Sequence, residues 1–244
     1  VGAVLRELKP LLHLDTIDVT GGTLGDRLEK DEGWVDHRVI AKAADPLEPE
    51  GGLVALFGNL APNGAILKRS AADKNLFEKE GRAVVFESLE DLANRVDDPD
   101  LDITEDDFMV LQNAGPKSAS GMPEAGYLPI PRKIAEKGVK DMVRISDARM
   151  SGTAFGTIVL HVSPEASIGG PLALVRNGDK IKLSVKNRSI DLLVEEAELE
   201  TRRADWTSTN VPADQRRGYD RLYATEVGQA DEGCDFDFLK PLET

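Results

Sequence analysis

Cysteine is almost missing from this 244-residue chain, where Cys234 stands alone. A single thiol excludes an internal disulfide, and it excludes an iron–sulfur or zinc site built from several thiolates of these residues. Long apolar runs are missing as well. The longest, such as 157–162, are strand-sized, far short of the roughly 20 residues a membrane helix needs. No charged-then-apolar leader opens the chain, so the expected location is cytoplasmic, without membrane contact. Positive charge is in deficit, with 30 Lys and Arg against 44 Asp and Glu and a net charge of −14. That balance argues against nucleic acid as a partner, because phosphate binding needs clustered Lys and Arg. An acidic surface is more often a solubility feature. Histidine is scarce. His13 lies in an apolar opening segment, His37 sits between Asp36 and Arg38, and His161 follows an apolar run; each reads as structural or as plain surface.

What is present suits a globular domain: 41% hydrophobic and 30% charged residues, in a chain long enough to bury a sizeable core. Residues 1–12 space their apolar side chains as a helix does (Val1, Val4, Leu5, Leu8, Leu11, Leu12). A helix already under way at residue 1 is expected of a piece of a longer protein. Thr20-Gly21-Gly22-Thr23 predicts a turn and cap for a short helix through Leu28. Residues 44–52 carry Pro46, Pro49, Gly51 and Gly52 and read as a loop.

Beyond that loop the pattern changes to short β-type runs at 53–57, 65–68, 83–86, 108–111, 141–145, 157–162, 172–175, 180–185 and 190–194, with helical stretches at 89–96, 132–137, 195–206 and 217–227. Asn177-Gly178-Asp179 predicts a tight turn and hence a hairpin over 172–185. The expected fold class is therefore α+β, a closed or nearly closed barrel with helical flanks. Its expected parts are a helical lead-in over about 1–45, a β-rich core over about 50–200 and a helical extension over about 200–244. The acidic run 97–107 reads as a solvated loop, since it lacks the ligand spacing and central glycine of a calcium-binding loop.

Three segments carry more glycine and polar groups than a scaffold needs. Gly58-Asn59-Leu60-Ala61-Pro62-Asn63-Gly64-Ala65 could lay backbone N–H groups around an anion such as a carboxylate, or be a plain structural turn. Residues 111–116 and 121–126 set Glu124 in an otherwise apolar loop. A hard cation such as Mg²⁺ takes one or two protein carboxylates, so Glu124 is a candidate ligand; an ordinary exposed glutamate is the bland reading. Residues 146–157 place Ser146, Ser151, Thr153 and Thr157 with Asp147 and Arg149 between two strand-like runs. Ser151-Gly152 is not the nucleophile turn of hydrolases, and no Asp/His pair accompanies it. A serine acts as a base only when a cation or oriented N–H groups lower its pKa, which again points to a metal.

Taken together, GNLAPNGAILK at 58–68, VLQNAGP at 110–116, GMPE at 121–124, SDARMSGTAFG at 146–156, HVSPEASIGGPLALVRNGDKI at 161–181 and GYDRLY…QADEGCDFDFL at 218–239 resemble the dihydroxy-acid and phosphogluconate dehydratase family over nearly the whole chain. SDARMSGTAFG with the GCDFDFL ending is similar to its sugar-acid branch, which dehydrates aldonates such as arabinonate or xylonate. The resemblance implies a C-terminal, swivelling β-barrel-like domain. It implies a separate N-terminal domain that holds a [2Fe–2S] cluster and most of a Mg²⁺ shell. Glu124 would complete that shell, Ser151 as an alkoxide would take the proton from C2, and Thr153 would assist by hydrogen bonding. The cluster would act as Lewis acid on the C3 hydroxyl. Asn59, Asn113 and Arg149 are candidates for contact with the substrate. The resemblance further implies a homo-oligomer, a dimer or tetramer. This chain differs from the family loop at Ser118 and Ser120, which stand where a glycine and a proline are usual, and Cys234 reads as packing. Two other functions stay open: a dihydroxy-acid dehydratase of branched-chain amino-acid synthesis, and a binding module without chemistry for a sugar acid or protein partner.

Overall fold

Pro10 decides how the opening segment folds. A proline cannot supply the N–H that a continuing helix needs. The apolar pattern of residues 1–12 therefore yields α1 (Gly2–Glu7) followed by a separate 3₁₀ turn, Lys9–Leu11, rather than one helix. Helix α2 (Leu24–Lys30) starts as its sequence predicts. Thr23 Oγ1 accepts the Asp26 N–H at 3.1 Å and the Asp26 carboxylate accepts the Thr23 N–H at 3.4 Å, a reciprocal cap.

The computed structural model describes residues 1–30, 33–124, 128–152, 155–208 and 210–240, and it divides into two units, Val1–Gly51 and Gly52–Thr244. In the first unit Leu28 is buried, while Leu11, Ile17, Trp34 and Leu47 are exposed.

The second unit is a closed barrel. Its strands are β1 (Val54–Gly58), β2 (Ala61–Leu67), β3 (Glu78–Phe86), β4 (Phe108–Leu111), β5 (Arg144–Ser146), β6 (Ile158–Ser163), β7 (Lys180–Ser184) and β8 (Ser189–Leu192), in the order β1-β2-β6-β5-β4-β3-β7-β8. Strands β3, β4, β5 and β6 run parallel; β2 and β7 flank them antiparallel, and β1 meets β8 in parallel to complete the ring. Closure pairs each of these eight strands on both sides.

Side-chain alternation fills the interior: Val54 and Leu56, Ala65 and Leu67, Ala83 and Val85, Phe108 and Val110, Ile181 and Leu183 all point inward. The parallel strands are buried on their outer side too. There Val84, Phe86, Met109, Leu111, Ile158 and Leu160 pack beneath α3 (Leu89–Arg95) and α4 (Arg132–Ala135). Two-sided burial is why β4 reads Phe-Met-Val-Leu with no polar residue. Strand β1 is more open on its outer side, where Phe57 is 52% exposed. Helices α5 (Glu196–Asp205) and α6 (Gly218–Glu226) follow the last strand.

Two expectations need correction. Residues 172–175 are not a strand, so the hairpin over 172–185 does not form. Pro171 opens a 3₁₀ turn, Pro171–Leu174, whose Leu172 and Leu174 enter the barrel core, and buried Gln112 donates its side-chain N–H groups to the Leu172 and Val175 carbonyls at 2.7 and 3.0 Å. The true hairpin is β7–β8. The acidic run 97–107 is only partly solvated. Asp107 is 5% exposed, accepts from the Thr104 N–H and hydroxyl, and holds Arg82 at 2.9 Å.

Candidate functional site

Parallel pairing sends the C-terminal ends of β3 to β6 to one rim of the barrel, and the β1–β2 turn reaches the same rim because Gly64 of β2 pairs with Ser163 at the end of β6. All three candidate segments thus leave the barrel at one end, the usual place for a site on parallel strands.

The segment after β4 is tied internally. The Gly115 carbonyl accepts from the Ser118 N–H, the Ser118 hydroxyl and the Met122 N–H at 3.2, 2.7 and 3.0 Å, and Ser118 and Ser120 share a hydrogen bond at 2.9 Å. The two serines that depart from the family pattern therefore help set the loop's path. Glu165 pins the loop from outside. Its carboxylate accepts the Lys117 N–H at 2.9 and 3.0 Å. Gly115 has to be glycine, because a Cβ there would lie 2.4 Å from Glu165 Oε2. Gln229 exchanges two hydrogen bonds with Glu165, at 2.7 and 2.9 Å, and Asn210 donates to the Lys117 carbonyl at 3.0 Å. Cys234 Sγ lies 3.3 Å from Met122 Sδ, so the lone thiol packs against the loop that carries Glu124, and burial pushes its pKa up.

The segment after β5 starts at Asp147, which is buried. Its carboxylate accepts the Ala114 N–H at 2.9 Å and the Ala166 N–H at 2.8 Å, joining the chain after β4, β5 and β6. Burial, with Glu165 nearby, raises its pKa to about 7. Burial likewise pushes Glu165 up. Further on, Met150 N–H donates to His161 Nε2 at 2.9 Å, and Lys68 Nζ donates to the Gly152 carbonyl at 2.6 Å.

The two segments meet. Glu124 forms a parallel bridge with Arg149, and the Arg149 N–H donates to the Pro123 carbonyl at 3.2 Å. Paired residues on neighbouring strands lie about 4.8 Å apart. Ser151 follows Arg149 by two residues, at most about 7 Å of chain. The Cα atoms of Glu124 and Ser151 thus lie within about 12 Å of each other. Glu124 is half-buried, Arg149 is exposed, and Ser151 is 6% exposed. Thr153 lies outside the described residues.

The two asparagines are engaged within the domain. The Asn59 carboxamide exchanges hydrogen bonds with the Leu192 backbone at 2.6 and 2.8 Å, and its own N–H goes to Asp191 at 3.2 Å. Asn113 donates to the Glu87 carbonyl at 3.0 Å and accepts from Ser167 at 3.4 Å, in a left-handed backbone with φ 56°. By sequence Asp147 is only one member of the polar turn and His161 reads as structural, while Glu165 and Gln229 are not singled out. Asp147 carries a weak signal as the one acid of the polar turn 146–157; Glu165 and Gln229 carry none.

Among the described residues no three His, Cys, Asp or Glu side chains gather as a metal site. Glu124 with Ser151 is an all-oxygen pair, which suits Mg²⁺ as part of a shell that needs further ligands. Cys234, packed on Met122, does not fit an iron–sulfur cluster.

Fold and site together define a barrel domain that gathers polar loops, rich in potential oxygen ligands, at one rim. The sequence pattern described as dihydroxy-acid/6-phosphogluconate dehydratase C-terminal matches residues 38–234, and the chain belongs to that family. It is 49% identical over 231 residues to L-arabinonate dehydratase of Rhizobium leguminosarum bv. trifolii, covering 94% of this chain and 39% of the relative. To 6-deoxy-6-sulfo-D-gluconate dehydratase of Pseudomonas putida it is 46% identical over 246 residues, covering 99% and 42%. To a dihydroxy-acid dehydratase of Ignicoccus hospitalis it is 39% identical over 236 residues, covering 96% and 42%. The chain spans about two-fifths of the length of these relatives. No helix among the described residues is long and apolar enough to cross a membrane.

Proposed function

We propose that this chain is the C-terminal part of a cytoplasmic, homo-oligomeric sugar-acid dehydratase that converts an aldonate to a 2-keto-3-deoxy acid, with Ser151 as the base and Glu124 as a Mg²⁺ ligand. The observation that carries this reading is the Glu124–Arg149 bridge with Ser151 two residues further on. Identity of 46–49% to relatives named for sugar acids, against 39% to one named for a dihydroxy acid, supports the aldonate over the branched-chain substrate.

Dehydration needs a proton taken from C2, beside a carboxylate, where it is very weakly acidic. Bound Mg²⁺ would offset the charge that develops on the substrate's oxygens and make a serine alkoxide accessible. Ser151 Oγ takes the C2 proton, the C2–C3 double bond forms as the C3–O bond breaks, and the departing hydroxide takes that proton to leave as water, which restores the base. The resulting enol tautomerises to the ketone. Burial of Ser151 keeps competing water from the base. Arg149, exposed beside Glu124, offers a guanidinium to the substrate carboxylate. Thr153 would assist Ser151 by hydrogen bonding, and Asn59 and Asn113 hold the rim turns through their own hydrogen bonds. The [2Fe–2S] cluster and the remaining Mg²⁺ ligands belong to the N-terminal part that the relatives have and residues 1–244 do not supply.

The test uses the protein that carries this chain together with that remaining part. Ser151→Ala should lower kcat on L-arabinonate by about a thousandfold or more while cluster absorbance is unchanged. Near-normal turnover would remove Ser151 from the role. Dihydroxyisovalerate turned over faster than L-arabinonate would shift the substrate to the branched-chain class.

A further inference from the structure

We propose that His161 is a positioning residue for Ser151: its Nε2 is the acceptor that fixes the Met150 N–H, and with it the approach of the chain to the base. The inference rests on the reading of Ser151 given above and adds the device that holds it.

The barrel ladder breaks next to the Ser151 turn. Strand β5 ends at Ser146, yet the chain beyond it stays alongside β6. His161, in the middle of β6, adopts a left-handed backbone with φ 56°. Left-handed residues in a strand disrupt regular pairing. The effect here is twofold. The His161 N–H donates to the Ala148 carbonyl at 3.0 Å, and the ring swings to take the Met150 N–H at 2.9 Å. One residue therefore grips the chain on both sides of Arg149, the residue bridged to Glu124, and immediately before Ser151.

A ring nitrogen that accepts an amide N–H carries no proton of its own, so the hydrogen bond needs a neutral imidazole protonated at Nδ1. Burial and the nearby Arg149 charge both lower the His161 pKa and favour that form. A serine that must meet a C2 hydrogen tolerates little displacement, since an error of about 1 Å can cost on the order of a hundredfold in rate.

The side chain's reach separates this role from plain packing. Glutamine puts an acceptor oxygen about where Nε2 stands. Asparagine tolerates left-handed backbone better than glutamine, but its oxygen stops at the position of Nδ1. Leucine keeps bulk and offers no acceptor. The three variants are to be compared in the protein that carries this chain with its remaining part, using L-arabinonate and Mg²⁺. The readouts are kcat, KM, thermal midpoint and hydrogen exchange of the Met150 amide.

His161→Leu and His161→Asn should lower kcat by about tenfold or more with KM changed less than about threefold, and should speed Met150 exchange by about tenfold, whereas His161→Gln stays within about threefold of the parent on every readout. Unchanged kcat and unchanged exchange in His161→Leu would overturn the proposal. So would rescue by Asn and not Gln, which would make the backbone conformation, not the acceptor, the active feature. If Ser151→Ala itself retains turnover, the reading of the base fails, and Met150 exchange in the His161 variants still decides whether the clamp exists.

Discussion

The loops that carry Glu124 and Ser151 leave adjacent parallel strands, β4 and β5, yet they are held by different parts of the chain. The Ser151 segment is secured by its neighbours in the barrel wall: His161 from β6 and Lys68 from the end of β2. The Glu124 loop is secured from far along the sequence, by Glu165, Asn210, Gln229 and Cys234. The proposed base is thus held by the barrel wall, while the candidate metal ligand depends in part on the C-terminal extension. Asp147 is common to both, since it begins the Ser151 segment and holds the Ala114 N–H at the start of the other. The difference teaches that damage to the C-terminal extension should reach Glu124 and spare Ser151.

The comparison breaks most strongly at Asp147. Asp147→Ala leaves the buried Ala114 and Ala166 N–H groups without their acceptor and should destabilise the domain by about 3 kcal/mol in denaturant unfolding. Both loops should loosen together. A loss confined to one of them would show that Asp147 does not link the two.

A second, gentler handle is pH. The Asp147 carboxyl titrates at about 7 in the fold, against 3.8 for a free side chain. Between those values the folded chain keeps a proton that the unfolded chain has released, so stability should fall as pH rises from about 4 to about 7 and level off above. Glu165, also raised, adds to the slope in the same direction. Urea unfolding at intervals across that window should show the decline, with a shallower slope in Asp147→Asn. The lowered pKa of His161 contributes in the opposite direction over part of this window, so an unchanged slope in Asp147→Asn is the result that would contradict the buried-acid account.

Gln229→Ala sharpens the comparison at the smallest scale. It removes two half-buried hydrogen bonds to Glu165 and should cost about 1 kcal/mol. Hydrogen exchange should quicken at Lys117 and Met122 and stay unchanged at Met150. Equal quickening at Met150 would mean that the loops are not held independently.

The barrel was legible in the sequence because most strands announce themselves by alternation or by short apolar runs, as β4 and β7 do. Residues 172–175 misled because their apolar side chains plug the core from a 3₁₀ turn, and burial alone does not distinguish a turn from a strand. Strand β3 begins at Glu78, five residues before the apolar run at 83–86, because Glu78 and Glu80 face water while the backbone pairs with β7. Residues 58–65 read as one glycine-rich turn, but Gly58 closes β1, the turn proper is only Asn59 and Leu60, and residues 61–65 are strand. At the site, motif order pointed to Glu124 and Ser151. The residues that hold them were not legible, because the roles of His161, Glu165 and Gln229 come from contacts between distant segments. A histidine on an apolar strand looks the same in sequence whether it packs or accepts a hydrogen bond from a neighbouring turn.

Convergence of Glu124 and Ser151 on one cation is best tested by diffraction from the protein that carries this chain with its remaining part, crystallised with Mg²⁺ and L-arabinonate. The account expects a Glu124 carboxylate oxygen about 2.1 Å from the ion and Ser151 Oγ within about 3.5 Å of substrate C2. A metal shell that omits Glu124, or a Ser151 hydroxyl turned away from the bound substrate, would contradict it.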